Sequence, residues 1–174
     1  MSNLSFDFAP RGDADISEDG LYRYTLTRHL SGVGPPLWFV MLNPSTADAS
    51  EDDPTLRRCI GFGRAFDRIR IHVVNLFAFR TPYPKELKAA RARGVDVIGP
   101  RNHQVFDALA GDGTVVCAWG PPAWPFVRER AREVVGRLER RGVGLLCLGT
   151  SKDGSPRHPL MLPGAATLQP WRLP

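Results

Sequence analysis

The sequence predicts an α/β fold: a three-layer α/β/α sandwich around a central, mostly parallel four-stranded sheet, with one antiparallel strand added on the N-terminal side. Three observations predict it. Four short apolar runs, at residues 37–42, 69–79, 115–120 and 143–148, have the length and composition of strands buried on both faces. Stretches with apolar residues at helical spacing separate these runs. Pro or Gly punctuates most of the boundaries. Strands that alternate with helices are joined by crossovers, which makes the strands parallel and puts helices on both sides of the sheet.

Taken in order, residues 1–20 mix Ser, Asp, Gly and Pro without periodicity and read as a flexible leader, leaving residues 21–174 as a single domain. In residues 21–30, Tyr22, Tyr24 and Leu26 alternate with Arg23, Thr25 and Thr27, the period of a half-exposed strand. A Gly- and Pro-rich turn then leads into the run at 37–42, and the two strands are expected to be antiparallel neighbours at the sheet's edge. Asn43-Pro44-Ser45-Thr46 stops the run. Asp53 followed by Pro54 starts a helix, since Asp accepts from free amides and Pro at the first position sacrifices no bond. Leu56, Cys59, Ile60 and Gly63 continue it.

The run at 69–79 is interrupted by Asn75 and ends at Arg80-Thr81-Pro82. A short helix opens at Pro84, and residues 95–110 read as another helix, interrupted or restarted near Pro100. After the run at 115–120, Pro121-Pro122 breaks the chain. Val127, Ala131, Val134, Val135 and Leu138 then form an amphipathic helix whose other face carries Arg128, Arg130, Arg132, Arg137 and Arg140. The last buried strand, 143–148, leads into a polar loop that contains His158.

Composition narrows the function. The chain of 174 residues carries a net charge of +5, mostly from Arg, which suits phosphate contact but is also an ordinary solvated face. No apolar run approaches the roughly 18 residues of a membrane span, and residues 1–20 lack a signal-peptide core, so a cytoplasmic protein is expected. Cys59, Cys117 and Cys147 are far apart in apolar segments and read as buried thiols. His29, His72, His103 and His158 share no ligand spacing, so neither a metal nor another cofactor is expected. No nucleophile elbow, phosphate-binding loop or dinucleotide fingerprint is present.

What remains is a set of polar residues at strand ends. In an open parallel sheet the crevice beyond the carboxyl ends of the strands takes the ligand. Asn43 could position a water, Asn75 could read an amide-like ring edge, and His158 could donate to an oxygen that becomes negative. Asn75 is equally readable as a buried amide bonded to a neighbouring turn. Asp48, Asp52 and Asp53 are the nearest carboxylates for a base.

At these residues the chain resembles the uracil-DNA glycosylase superfamily. Phe39 to Ser45 is similar to the family's first motif, a strand ending in Asn-Pro-Gly whose Asn positions the attacking water. Val73 to Pro82 resembles the strand whose Asn reads the uracil edge, and Val116 to Gly120 an apolar strand ending in Gly. Arg157-His158-Pro159-Leu160 resembles the motif whose His bonds the uracil carbonyl and whose following residues wedge into the duplex. Ser45 stands where the family has Gly, and Leu160 where it has Ser. Phe62 and Phe66 are the candidates for stacking on a base, and the cluster-binding cysteines of one branch are absent. The chain also resembles a bacterial family of short uncharacterised proteins through its Met41-to-Asp48, Asp52-to-Thr55 and Arg157-to-Leu160 segments.

The resemblance implies a uracil-DNA glycosylase-like fold and a DNA glycosylase-like hydrolase of the N-glycosidic bond of a damaged base, working in DNA repair. Asn43 and His158 would be catalytic, with Ser45, Asn75, Arg80 and Leu160 binding substrate. DNA or a nucleotide-like ligand would be the partner, with no membrane and no metal cluster involved. Two alternatives stay open: a non-catalytic nucleic-acid or modified-nucleotide binding module on the same fold, and a hydrolase of a small nucleoside-like metabolite.

Overall fold

The structure, a computed structural model, describes residues 12–109 and 113–174. It is an α/β protein with a mixed seven-stranded sheet in the order β1-β2-β4-β3-β5-β6-β7. The strands are β1 (Ala14–Ile16), β2 (Arg23–His29), β3 (Leu37–Met41), β4 (Arg70–Asn75), β5 (Thr114–Cys117), β6 (Leu145–Cys147) and β7 (Gln169–Pro170). The four inner strands β4, β3, β5 and β6 pair in parallel, while β2 and β7 flank them antiparallel. The sheet is therefore wider than the expected four strands plus one.

β3 occupies the centre because both of its faces are apolar. Leu37, Phe39 and Met41 point to one helical layer, and Val40 points to the other. Such a strand is stable only with neighbours on both sides and helices on both faces. The half-polar β2 accordingly lies outside β4, pairing Leu26 with Val73, and does not touch β3 as the sequence reading expected. The turn at 31–36 passes over the β4 entrance instead, with Gly34 N donating to Asp67 O at 2.7 Å. Gly32 allows that approach, since a Cβ there would lie 2.3 Å from the Asp67 carbonyl carbon.

Four helices cover the sheet: α1 (Pro54–Ala65), α2 (Pro84–Ala92), α3 (Asn102–Ala108) and α4 (Pro125–Arg140). α1 and a 3-10 turn at Pro159–Met161 cover one face, burying Leu56, Cys59, Ile60 and Phe62 against Phe39, Ile71 and Val116. On the other face α2, α3 and α4 bury Leu87, Phe106, Val134 and Leu138 against Val40, Val74 and Val115. Each fully buried large apolar side chain contributes about 1.5–3 kcal/mol relative to exposure. Cys59, Cys117 and Cys147 are buried free thiols, as read from the sequence.

Three further differences have physical reasons. Of the expected leader, residues 1–11 lie outside the described residues, but β1 is held to β2 by reciprocal bonds between Asp13 and Thr27. Residues 95–101 are not helical. Their backbone is needed elsewhere, with Ala78 N donating to Ile98 O and Phe79 N to Val97 O, so α3 starts only after Gly99-Pro100. The Arg face of α4 is not uniformly solvated, because Arg130 is 3% exposed and its Nε donates to Leu76 O at 2.8 Å.

Candidate functional site

A cavity of about 360 Å³ opens at the carboxyl ends of β3, β4 and β5, between the sheet and α1. That size falls within the usual range of about 300–1,000 Å³ for small-ligand clefts. Met41, Val73, Leu26 and Cys59 form its apolar floor, and Trp119, Pro82, Pro84 and Pro121 its flat walls. Asn43, Ser45, Asn75 and His158 all line it, joined by Arg23, Asp53, Thr55 and Thr81. Sequence positions more than a hundred residues apart thus face one space.

Each polar group is held by what surrounds it. Asn43 follows β3, and its Nδ2 donates to the carbonyl oxygens of Thr81 at 2.8 Å and Pro44 at 3.2 Å. With the amide nitrogen committed, Oδ1 presents an acceptor. Thr81 is itself fixed, its N donating to Pro44 O at 2.9 Å. Asn75 closes β4 on the face that looks at α1, is 2% exposed, and its Oδ1 is buried with no hydrogen-bond partner among the described residues. The bond to a neighbouring turn that would make it a satisfied core amide is not there.

His158 arrives on a loop pinned by Gly120 N to Pro156 O and Arg157 N to Gly149 O, both at 2.9 Å. Gly120 makes the corner with φ +81°, a left-handed conformation that costs Gly little. The His158 Nδ1 accepts from Leu160 N at 3.3 Å, which puts the proton of the neutral ring on Nε2 and leaves that atom as a donor. Burial lowers the imidazole's pKa below its ordinary 6.5, with the charge of Asp53 opposing, so the ring is neutral at pH 7.

Asp53 caps α1 as the sequence reading required, its Oδ1 accepting from Leu56 N at 2.7 Å. Its Oδ2 accepts a short hydrogen bond from Ser45 Oγ. Ser45 therefore positions Asp53, the one carboxylate that lines the cavity among the described residues. The loop between them is tied down by Arg28, which is 2% exposed, pairs with Asp52 at 2.8 Å and donates to the carbonyl of Asp48 at 2.5 Å.

Arg23 was not foreseen. Strict alternation along β2 turns it away from Leu26, yet both line the cavity. The cause is a bulge: Thr25 pairs with Asp15 and Arg23 with Ile16, so Tyr24 is an extra residue and the alternation reverses beyond it. Arg23 is 4% exposed, and burial pulls its pKa down to about 10, against the opposing charge of Asp53. Only a chain whose pairing register is known exposes this signal.

The remaining expectations fall outside the cavity wall. Arg80 Nη1 donates to Gly20 O at 3.1 Å, and Arg80 does not line the cavity. Leu160 is 47% exposed in the 3-10 turn, where its neighbour Met161 lines the mouth. Phe62 is buried against Phe66, and the aromatic in the cavity wall is Trp119. Among the described residues no group of three His, Cys, Asp or Glu could hold a metal ion, and no helix is long and apolar enough to cross a membrane.

No curated protein and no solved structure matches the chain. One protein-family profile does, over residues 23–160, a span that begins at Arg23 and takes in Asn43, Asn75 and His158. That span covers most of the sequence, and the chain belongs to the family described as proteins of unknown function, DUF1643.

Proposed function

We propose that this chain hydrolyses the N-glycosidic bond of a nucleotide-like ligand whose base enters the cavity, on a scaffold related to that of the uracil-DNA glycosylases. The observation that carries the reading is the buried, unpartnered Oδ1 of Asn75 in a space also lined by Asn43 and His158. An amide without a partner costs about 1–3 kcal/mol, and a heterocycle edge offering an N–H would satisfy it.

In this mechanism Asn43 Oδ1 accepts from a water and orients it toward the anomeric carbon. As the water oxygen bonds to that carbon, the glycosidic bond breaks and its electron pair leaves on the base. His158 donates from Nε2 to the base oxygen that gains charge, the kind of preorganised stabilisation that supplies much of catalysis. Asp53, held by Ser45 and the α1 amide, takes the water's proton. Leu160 and Met161, exposed at the mouth, would fill the gap a flipped base leaves in a strand.

Cleavage of uracil-, hypoxanthine- and hydroxymethyluracil-containing oligonucleotides, and of the matching free nucleotides, tests the proposal. Base release that is lost in Asn43→Ala and His158→Ala supports it, and no release from any substrate by the folded protein removes it.

A non-catalytic binding module is the second reading. It is favoured by the groove at the start of α4, where the half-buried Trp124 lies with the exposed Arg128 and Arg132. Aromatic faces beside cations are how single strands are held. This reading predicts salt-sensitive binding that weakens when the exposed Arg128 and Arg132 are replaced together, without turnover.

A further inference from the structure

Arg23 and Arg28 enter the same layer from the same strand, and only one of them is spent. Arg28 has its Nε on Asp52, its Nη1 on the carbonyl of Thr27 in its own strand and its Nη2 on the loop carbonyl of Asp48. Among the described residues the Arg23 side chain has a single hydrogen bond, from Nη1 to Ala47 O at 2.5 Å, while its Nε is buried with no partner. It forms no ion pair among the described residues: Asp53 acts on it through its charge alone, while the two oxygens of that carboxylate accept from Leu56 N and Ser45 Oγ. A buried guanidinium in this condition is expensive unless an anion completes it.

Its place in the cavity says where that anion goes. Arg23 and Asn75 are 4% and 2% exposed, whereas Asn43 and His158 are half-buried and Met161 at the mouth is 66% exposed. The two unspent groups are therefore at the closed end, on adjacent strands. Arg23 N donates to Ala78 O at 2.9 Å, so a ring held at Asn75 lies beside the strand that carries Arg23.

We propose that Arg23 is the anchor for an oxyanion at the closed end of the cavity, so that the ligand is acidic on the ring it presents to Asn75. The chemistry that fits is a planar, imide-bearing heterocycle carrying a carboxylate, or one whose ring oxygen takes up negative charge. The fork of Arg23 supplies the paired donors that such a group accepts. The ring assignment rests on the function proposed above, but the anion site does not.

The test uses the whole chain and reads melting temperature and binding, with no turnover required. In buffer free of oxyanions, Arg23→Met is expected to melt about 2–4 °C higher than the unmodified protein, because an unpaired buried charge has been replaced by an apolar side chain of similar length. Acetate and orthophosphate, added at constant ionic strength against chloride, stabilise the unmodified protein and leave Arg23→Met unmoved. By calorimetry, 5-carboxyuracil binds about 10-fold or more tighter than uracil, and that preference disappears in Arg23→Met. A fixed carboxylate gives this preference in affinity. If instead a ring oxygen bears the charge, orthophosphate and acetate still stabilise through Arg23, and the carboxylated and plain rings bind alike.

Arg23→Lys keeps the charge without the fork and retains part of the anion response. Should the Met variant not fold, an anion response in Arg23→Lys weaker by severalfold supports the site, and an unchanged one overturns it. A response that persists in Arg23→Met, or the absence of any response in the unmodified protein, also overturns it. Failure to cleave a glycosidic bond leaves this site standing, so the two proposals fail separately.

Discussion

Asn43 Nδ2 lies 2.8 Å from the carbonyl oxygen of Thr81, joining the end of β3 to the turn that leaves β4. Thr81 is 4% exposed, so its carbonyl has little water to fall back on. Asn43→Ala should therefore lower stability by about 1–3 kcal/mol, the cost of an unsatisfied buried acceptor. Urea unfolding measures it. An undiminished midpoint would mean that Asn43 is not held in the way its contacts indicate.

Asp53 has two roles that substitutions can separate. Asp53→Asn keeps an oxygen for Leu56 N and loses only the charge that offsets the burial of Arg23. It should lose less stability than Asp53→Ala, which also gives up the cap of α1 and with it about 0.5–2 kcal/mol. If Asp53 also takes the proton of the attacking water, Asp53→Asn stays folded but loses activity about 100-fold or more. Thermal unfolding read beside turnover distinguishes cap from base.

His72 and His158 set an acid limit on stability. Burial takes the His72 pKa from 6.5 to about 4, with the charges of Arg70 and His29 adding to it, and lowers that of His158. A ring less basic when folded than unfolded binds more protons in the unfolded chain, so its contribution is whole above about pH 6.5 and is lost as pH falls toward the folded values. His72 stacks on Trp38 at 4.0 Å, an arrangement Phe can keep. His72→Phe should therefore flatten the fall in melting temperature between pH 6.5 and about 4. An unchanged slope would assign that acid limb to other groups.

Arg130 and Arg132 sit two residues apart on α4 and should behave differently. Arg130 is buried against Leu76 O and pairs at 2.8 Å with Glu133, which is itself exposed, so Arg130→Ala should cost about 1–3 kcal/mol, from the lost hydrogen bond and the packing of its buried stem. Arg132 is exposed, and Arg132→Ala should stay within about 0.5 kcal/mol. Guanidinium unfolding of the two variants decides between a structural and a surface role.

How far these features were legible depends on which physical signal each one leaves in the chain. Apolar period and Pro placement located β3, β4, β5, α1 and α4, because burial and capping are local in sequence. Asn43, Asn75 and His158 could be singled out because polar residues that end apolar runs collect at one sheet edge, and they do line one cavity. The neighbour of β2 was misjudged because pairing is settled by which strand must be covered on both faces, a property of the whole sheet. β1 and β7 carry too few apolar residues to register. Arg23 was hidden by Tyr24, whose extra place in the ladder leaves the composition of β2 unchanged.

That extra place has a consequence for how such a protein can change. Loss of residue 24 would remove the bulge and leave Arg23 two places from Leu26, so uniform pleating would keep the guanidinium on the same face. Flattening the ladder with residue 24 retained would instead carry it through the sheet to the opposite surface. The facing of this charge thus depends on chain length and ladder irregularity taken together, and sequences that differ by one residue at this spot should be aligned by register before their chemistry is compared.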